Sequence, residues 1–268
     1  MALVFCRIPQ VYDRQARNTA AYRKLAPSVP FWYKSGMRKK DVVQALEQQL
    51  RAVKAERQAA GRDPALQAAR IALKQYQSAR LQATHADLLA APGTRDAALF
   101  FLNELYGAQD LSRRDADLER IIPTMQRVLP LRPLQTITQA IVLDALSEHL
   151  DTLMARALGT SFSEQQYGAA YRSASGRDER ENQLTLVKAL GDSLCELVRI
   201  PFLSAMLGVM RTPARLAGLD QLQQFLEHGF GAFKRLEDPA RFVATIVNRE
   251  RAILEHLYAG RDAPFRLD

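Results

Sequence analysis

From about residue 41 onward, apolar residues recur at intervals of three and four, the spacing of one helix face after another, and almost nowhere in the alternation of a half-buried strand. The pattern predicts an all-α chain of roughly nine or ten helices. Asp41 caps a helix through about Ala60, with Val43, Leu46, Leu50 and Val53 on one face, and Gly61 closes it. Asp63-Pro64 opens a second through about Ala91, carrying Leu66, Leu73, Tyr76, Leu81 and Leu88. The short linker makes these two an antiparallel hairpin, 41–91. Central helices follow over 94–174 and C-terminal helices over 178–260, with Ser175-Gly176-Arg177-Asp178 as the polar boundary between them.

Three segments of this pattern stand out. The helix beginning at Thr94 ends in Phe100-Phe101-Leu102-Asn103-Glu104-Leu105-Tyr106-Gly107 and is apolar almost all round, which predicts a hub buried among other helices. Asn103 and Glu104 fall inside that apolar zone, and a buried carboxylate is costly unless paired. In the helix over 112–129, Pro123 sits inside an otherwise helical run of Leu118, Ile121, Ile122, Met125, Val128 and Leu129, and should kink or split it. From Pro133 to Leu158 comes the clearest long helix, with Leu143, Leu146, Leu150 and Leu153 as its stripe and Asp144, Glu148 and Asp151 opposite. Pro201 starts a helix apolar on nearly every side, Thr212-Pro213 caps a short one to Gly218, helix 220–236 carries Leu222, Phe225, Leu226, Phe230 and Phe233, and Asp238-Pro239 opens the last helix, closed by Gly260.

Composition sharpens the first forty residues most. The chain is 47% hydrophobic and 25% charged, as in ordinary globular proteins. Its net charge of +8 is uneven: residues 1–83 hold 16 Lys+Arg against 5 Asp+Glu, so residues 84–268 sum to −3. Residues 1–40 form an irregular basic arm interrupted by Pro9, Pro27 and Pro30, followed by one multi-helix domain over 41–268. In the arm, Phe31, Trp32 and Tyr33 lie beside Lys34, Arg38, Lys39 and Lys40. The aromatics read as a plug for a groove on the helical body; stacking on nucleic acid is the less favoured reading, because no nucleic-acid module signature accompanies them. Trp32, Lys34, Arg38, Lys39 and Lys40 are accordingly the candidate anion or partner site. The longest apolar run, Ile200 to Met210, is short of a membrane span, and Cys6 and Cys195 make no metal or redox spacing, so the expectation is a cytoplasmic protein.

Charges on core-facing stripes mark the candidate chemistry. On the last helix Arg249 falls within the stripe of Phe242, Ile246, Ile253 and Leu257, with Glu250 at its margin. Arg249 is expected to form a buried ion pair with Glu104, Asp144 or Glu148. Asn103, Glu104, Asp144, Glu148, Arg249 and Glu250 together are the candidate buried polar site. The acids at 144, 148 and 151 repel one another unless arginines or solvent offset them. No metal site and no cofactor is expected: no carboxylate precedes any histidine by three, and neither a His-x-x-x-His nor a Cys-x-x-Cys pair exists. Gly229 and Gly231 beside His228 would admit a neighbouring helix or an apolar ligand against Phe225, Phe230, Met206 and Met210. Nucleophile turns and phosphate-cradling loops are missing.

The segments Tyr76–Leu81, Thr84–Leu89 and Phe100–Gly107, with Asp110 and Arg113-Arg114-Asp115, and the tail segments Phe225–Phe230 and Arg249-Glu250, resemble a family of uncharacterised proteobacterial helical proteins with an FFLxELYG-type motif. The resemblance spans roughly residues 70 to 260 and implies a bacterial helical protein, with no catalytic residue carried over. The leading expectation is a non-catalytic interaction or regulatory protein that self-associates or docks an acidic partner through residues 1–60. The alternatives are a small-molecule binder or enzyme using the internal polar site, and nucleic-acid binding through the arm.

Overall fold

The computed structural model describes residues 38–102 and 112–267. Among them eleven helices and no strand are found. In chain order these are α1 (Lys39–Gly61), α2 (Pro64–Thr84), α3 (Ala86–Ala90), α4 (Pro92–Phe100), α5 (Ser112–Val128), α6 (Leu131–Leu158), α7 (Glu164–Ala174), α8 (Arg177–Leu197), α9 (Leu203–Leu216), α10 (Asp220–Lys234) and α11 (Pro239–Tyr258). The punctuation visible in the sequence sets most boundaries. The Asp63 carboxylate accepts the amide hydrogens of Ala65 and Leu66, Ser163 and Gln166 form a reciprocal capping box, and Asp238 accepts the Arg241 amide. Gly159 and Gly260 turn the chain at φ +69 each, a region closed to most other residues.

Local competition shifts several expected boundaries. The first helix starts at Lys39, with Arg38 at its cap position, so Asp41 lies in the first turn, where the Arg38 guanidinium donates to it at 3.1 Å. The second helix does not run on to Ala91 but breaks at His85, a buried residue that turns its ring to Glu250. Pro92 rather than Thr94 opens α4, and the Thr94 hydroxyl donates to the Leu88 carbonyl. Neither Pro123 nor Pro213 splits its helix. Each costs one backbone bond, but Leu118, Ile122 and Met125 bury one face of α5 across the proline, and Ala214 anchors the end of α9.

The centre of the molecule is α6, and not the Phe100 stretch. Leu134, Leu146, Leu150 and Met154 are fully buried, and so are Thr138, Gln139, Glu148, His149, Asp151 and Thr152 on its other faces. It is enclosed by α1, α2, α7 and α8. The four-leucine stripe and the acidic face are therefore both interior. Phe100 and Phe101 are buried in one cluster with Phe233, Phe242 and Leu143, Leu146 and Leu150 of α6, and Leu102 is buried too, whereas the rest of the predicted hub, including Asn103 and Glu104, lies outside the described residues.

A hairpin of α9 and α10 closes the molecule, tied by Arg211 to Glu227 at 2.7 Å and by the Gln223 amide to the Leu207 carbonyl at 2.6 Å. It rests on α4 through Gly229, where a Cβ would come within 2.5 Å of the Phe100 ring. Of the two expectations for Gly229, the close-packed helix is the one realised.

Candidate functional site

Three helices converge on the acidic face of α6. Arg57 of α1 donates from Nη1 to Asp115 of α5, and from Nη2 to both oxygens of Asp144 at 2.9 Å and to Glu148 at 3.4 Å. Arg70 and Lys74 of α2 both reach Glu148, Arg70 as a direct ion pair and Lys74 at 2.6 Å, and Gln77 donates to Asp151 at 3.1 Å. Beside them Glu56 meets the His149 ring at 3.0 Å. Glu148 thus answers three cations while its side chain is only 4% exposed. The heptad-like spacing of these acids suits that geometry: residues 144, 148 and 151 rise along one face of α6, and α1 and α2 bring their bases to it. Burial lowers the Lys74 ammonium from its usual range, with Asp151 opposing the shift. Burial raises the Glu56 carboxyl, but the bond and charge of His149, the Thr152 hydroxyl and the Arg70 charge together outweigh it and the net effect is a lowering.

A second group sits where α2 faces α11. Arg80 donates to both oxygens of Glu250 at 2.6 Å, and His85 lies 3.1 Å from the same carboxylate. Burial tends to raise the Glu250 carboxyl, but Arg80 and His85 outweigh it and bring it down to about 2. Arg80 also packs over Phe265, and Tyr76, Phe162, Tyr167 and Phe265 surround it as an aromatic shell.

Between the two groups lies a cavity of about 120 Å³, lined by Lys74, Gln77, Arg80, Asp151, Arg180 and Glu250 among others. Arg180 is 3% exposed, stacks 4.2 Å over Tyr171, and gives its bonds to uncharged acceptors: the Ser175 hydroxyl, the Gln183 amide oxygen and the Met154 sulfur. Arg80 Nε, also buried, has no partner. Neither arginine stood out in the sequence. Only the acids' need of cations signalled Arg57, Arg70 and Lys74.

Of the three partners expected for Arg249, Glu104 lies outside the described residues and Asp144 and Glu148 are corrected to Asp87. The Arg249 guanidinium binds Asp87 in a fork at 2.6 and 2.8 Å and donates to the Thr84 carbonyl, with the Asp87 side chain 59% exposed and that of Arg249 28%. It does not join Asp144 or Glu148, because α11 presents Arg249 to the α2–α3 turn while α1 and α2 fill the acidic face. The residue that α11 sends inward is Glu250. The candidate polar site therefore separates into Asp144 and Glu148 in one cluster, Glu250 in the next and Arg249 at the edge. In the arm, Trp32 and Lys34 lie outside the described residues, Arg38 is held by Asp41, and Lys39 and Lys40 occupy the first turn of α1. Among the described residues no group of three or more His, Cys, Asp and Glu is placed to hold a metal ion, and no helix is long and apolar enough to cross a membrane.

A second, larger space lies on the other side of α6. An apolar groove of about 590 Å³ runs between α5, α6, α9 and α10, walled by Leu118, Met125, Ile137, Leu207, Met210 and Leu226. Asp144 and Ser147 belong to the linings of both the groove and the polar cavity. Outside the groove, Val209 and Leu216 of α9 and Phe202 at its N-cap are 75%, 83% and 85% exposed.

These features define an all-α helical domain with a charged interior and one uncovered apolar flank. The chain belongs to the family described as Domain of unknown function (DUF8198), whose pattern matches residues 56–264. That span holds all of the interior charges described above from Glu56 to Glu250 and leaves the arm and most of α1 outside. No curated protein and no solved structure matches the chain.

Proposed function

We propose that this protein is a non-catalytic helical binding protein whose working surface is the outer stripe of α9. The observation that carries the reading is the placement of apolar exposure: among the described residues six of the eight exposed large hydrophobic side chains fall within residues 200–216, and Ile200, Phe202, Val209 and Leu216 of these lie outside the groove. Val209 and Leu216 stand seven residues apart on one face of α9, with Phe202 exposed at its N-cap, an apolar edge suited to a second helix lying alongside. The occupant proposed is an amphipathic helix of a protein partner with acidic flanks. Helix α9 carries Arg211 and Arg215 and no acid, and Arg199 precedes it, so a second copy would bring like charge to like. The reading includes a cytoplasmic location in a bacterial cell, supported by the free, buried thiol of Cys195 and by the resemblance given above.

The test is fluorescence anisotropy with a labelled helical peptide carrying Leu at its a and d positions and Glu at e and g, against the same peptide with Lys at e and g. Wild-type protein is expected to bind the acidic peptide, and Val209→Asp to lose roughly tenfold or more in affinity, about 1.4 kcal/mol. Equal binding of both peptides, or of neither, would overturn the reading. Light scattering that gives two chains for wild type and one for Val209→Asp would assign the stripe to self-association instead.

One observation favours a second reading, a small polar ligand inside the molecule: the cavity beside Arg180, which among the described residues hydrogen-bonds to the neutral acceptors Ser175, Gln183 and Met154. Native mass spectrometry of the purified protein, showing mass in excess of the chain, would support it.

A further inference from the structure

The groove between α5, α6, α9 and α10 asks for an occupant of its own. It is large for an internal void: an apolar cavity of about 150 Å³ holds one benzene ring. At about 590 Å³ the groove accommodates three rings with their stems. Its walls are leucine, isoleucine, methionine and phenylalanine side chains, with Thr124, Asp144, Ser147 and Gln223 as the polar exceptions. No described segment enters it.

The start of α1 lies at its mouth. Helix α1 runs antiparallel to α5, since Arg57 meets Asp115 and Lys54 meets Glu119. Carried back along α1, that register sets its first turn beside the C-terminal end of α5. Val42 and Val43 accordingly share a cluster with Ile122, Met125 and Leu134, packed against Leu129, Leu131 and Ile137. Met125, Leu129 and Ile137 also line the groove. Arg38, the residue preceding α1, is therefore at the Leu129–Ile137 end of the groove. Phe31, Trp32 and Tyr33 precede Arg38 by five to seven residues, a reach of roughly 16–25 Å for extended chain. Ser35-Gly36 lies between them and the helix and supplies the freedom to turn back. The basic side chains of Lys34 and Arg38 remain outside an apolar groove in such an arrangement, at its polar rim.

We propose that Phe31, Trp32 and Tyr33 of the same chain fill this groove, so that the basic arm is anchored across α5 and α6 by its aromatic residues. The anchor makes the groove part of the protein's own core and leaves the Phe202–Val209–Leu216 stripe as the surface open to others. Met206 and Met210 line the groove and are covered by such an anchor, whereas Phe202, Val209 and Leu216 do not line it and stay available to a partner.

Trp32 is the single tryptophan of the chain, so its fluorescence reports the anchor directly. In the full-length protein its emission is expected to lie to the blue of the urea-unfolded chain, with acrylamide quenching several-fold weaker. Met206→Asp and Met210→Asp each place a carboxylate in the groove at positions already 39% and 45% exposed, so the fold should survive, as circular dichroism would show. Both variants should move the emission and the quenching toward the unfolded values, while Val209→Asp on the outer stripe should leave them unchanged. A Trp32 as quenchable in the native protein as in urea would overturn the proposal. So would shielding that neither groove variant alters, or shielding that fades on dilution, which would place the rings in a second copy. None of these outcomes bears on the peptide assay for the outer stripe, so the two readings fail separately.

Discussion

The interior of α6 and the hairpin of α9 and α10 invert the usual distribution of polarity in opposite ways. Around α6, charged groups are inside: Glu148, Asp115, Arg70 and Arg180 are each exposed by 5% or less. On α9, large apolar groups are outside. The first inversion is met within the chain, since Arg57 of α1 and Arg70, Lys74 and Arg80 of α2 reach Asp115, Asp144, Glu148 and Glu250. The second is not resolved by any described residue. An ion pair can be completed by one side chain at the right point, whereas an apolar helix face needs an entire second surface to cover it. A single helical chain of this length satisfies its internal charges more readily than it covers its last helical hairpin.

The contrast can be broken most severely at Glu148. Glu148→Ala leaves Arg57, Arg70 and Lys74 without their shared acceptor, and a loss of about 3–5 kcal/mol is expected in urea unfolding, the range for an orphaned buried charge. A loss below about 1 kcal/mol would mean that the interior charges are solvated and that the two regions do not differ in kind.

Glu250 sharpens the comparison through pH. Its carboxyl is held at about 2 in the folded protein against an ordinary 4.5, so its stabilisation is present above about pH 4.5 and drains away as pH falls toward 2. Wild type should exceed Glu250→Gln by on the order of 3 kcal/mol at neutral pH, with the two stability curves converging in acid. Parallel curves over that window, followed by urea melts at successive pH values, would remove Arg80 and His85 as the cause.

The smallest effect belongs to Arg249. Its fork to Asp87 lies at the surface, so Arg249→Ala should cost no more than about 1 kcal/mol in thermal or urea unfolding. A cost as large as that of the Glu148 variant would restore the interior role that its place on the apolar stripe of α11 suggests.

Much of this architecture was legible one helix at a time. Asp63-Pro64, Ser163, Asp238, Gly159 and Gly260 mark their boundaries through backbone chemistry that acts within a few residues. The acids at 144, 148 and 151 announced a need for cations because three carboxylates on one face repel. The break at His85 was hidden, because its cause, the Glu250 carboxylate, lies 165 residues away. Arg249 misled because periodicity identifies a face of a helix but not how far along that face the neighbouring helix extends. The groove was marked only as an alternative, an apolar ligand against Phe225, Phe230, Met206 and Met210, because Met and Phe at helical spacing read equally as core.

The sequence by itself thus determined that the chain is helical, where most helices start and stop, and that its interior carries charge. Tertiary structure alone decided that α6 is the centre, that Glu148 serves Arg57, Arg70 and Lys74, that Arg249 faces outward to Asp87 and Glu250 inward to Arg80, and that the uncovered apolar surface gathers on α9. The reason is range: capping and periodicity act over one or two turns, whereas these partners stand 58 to 170 residues apart and meet only when whole helices pack.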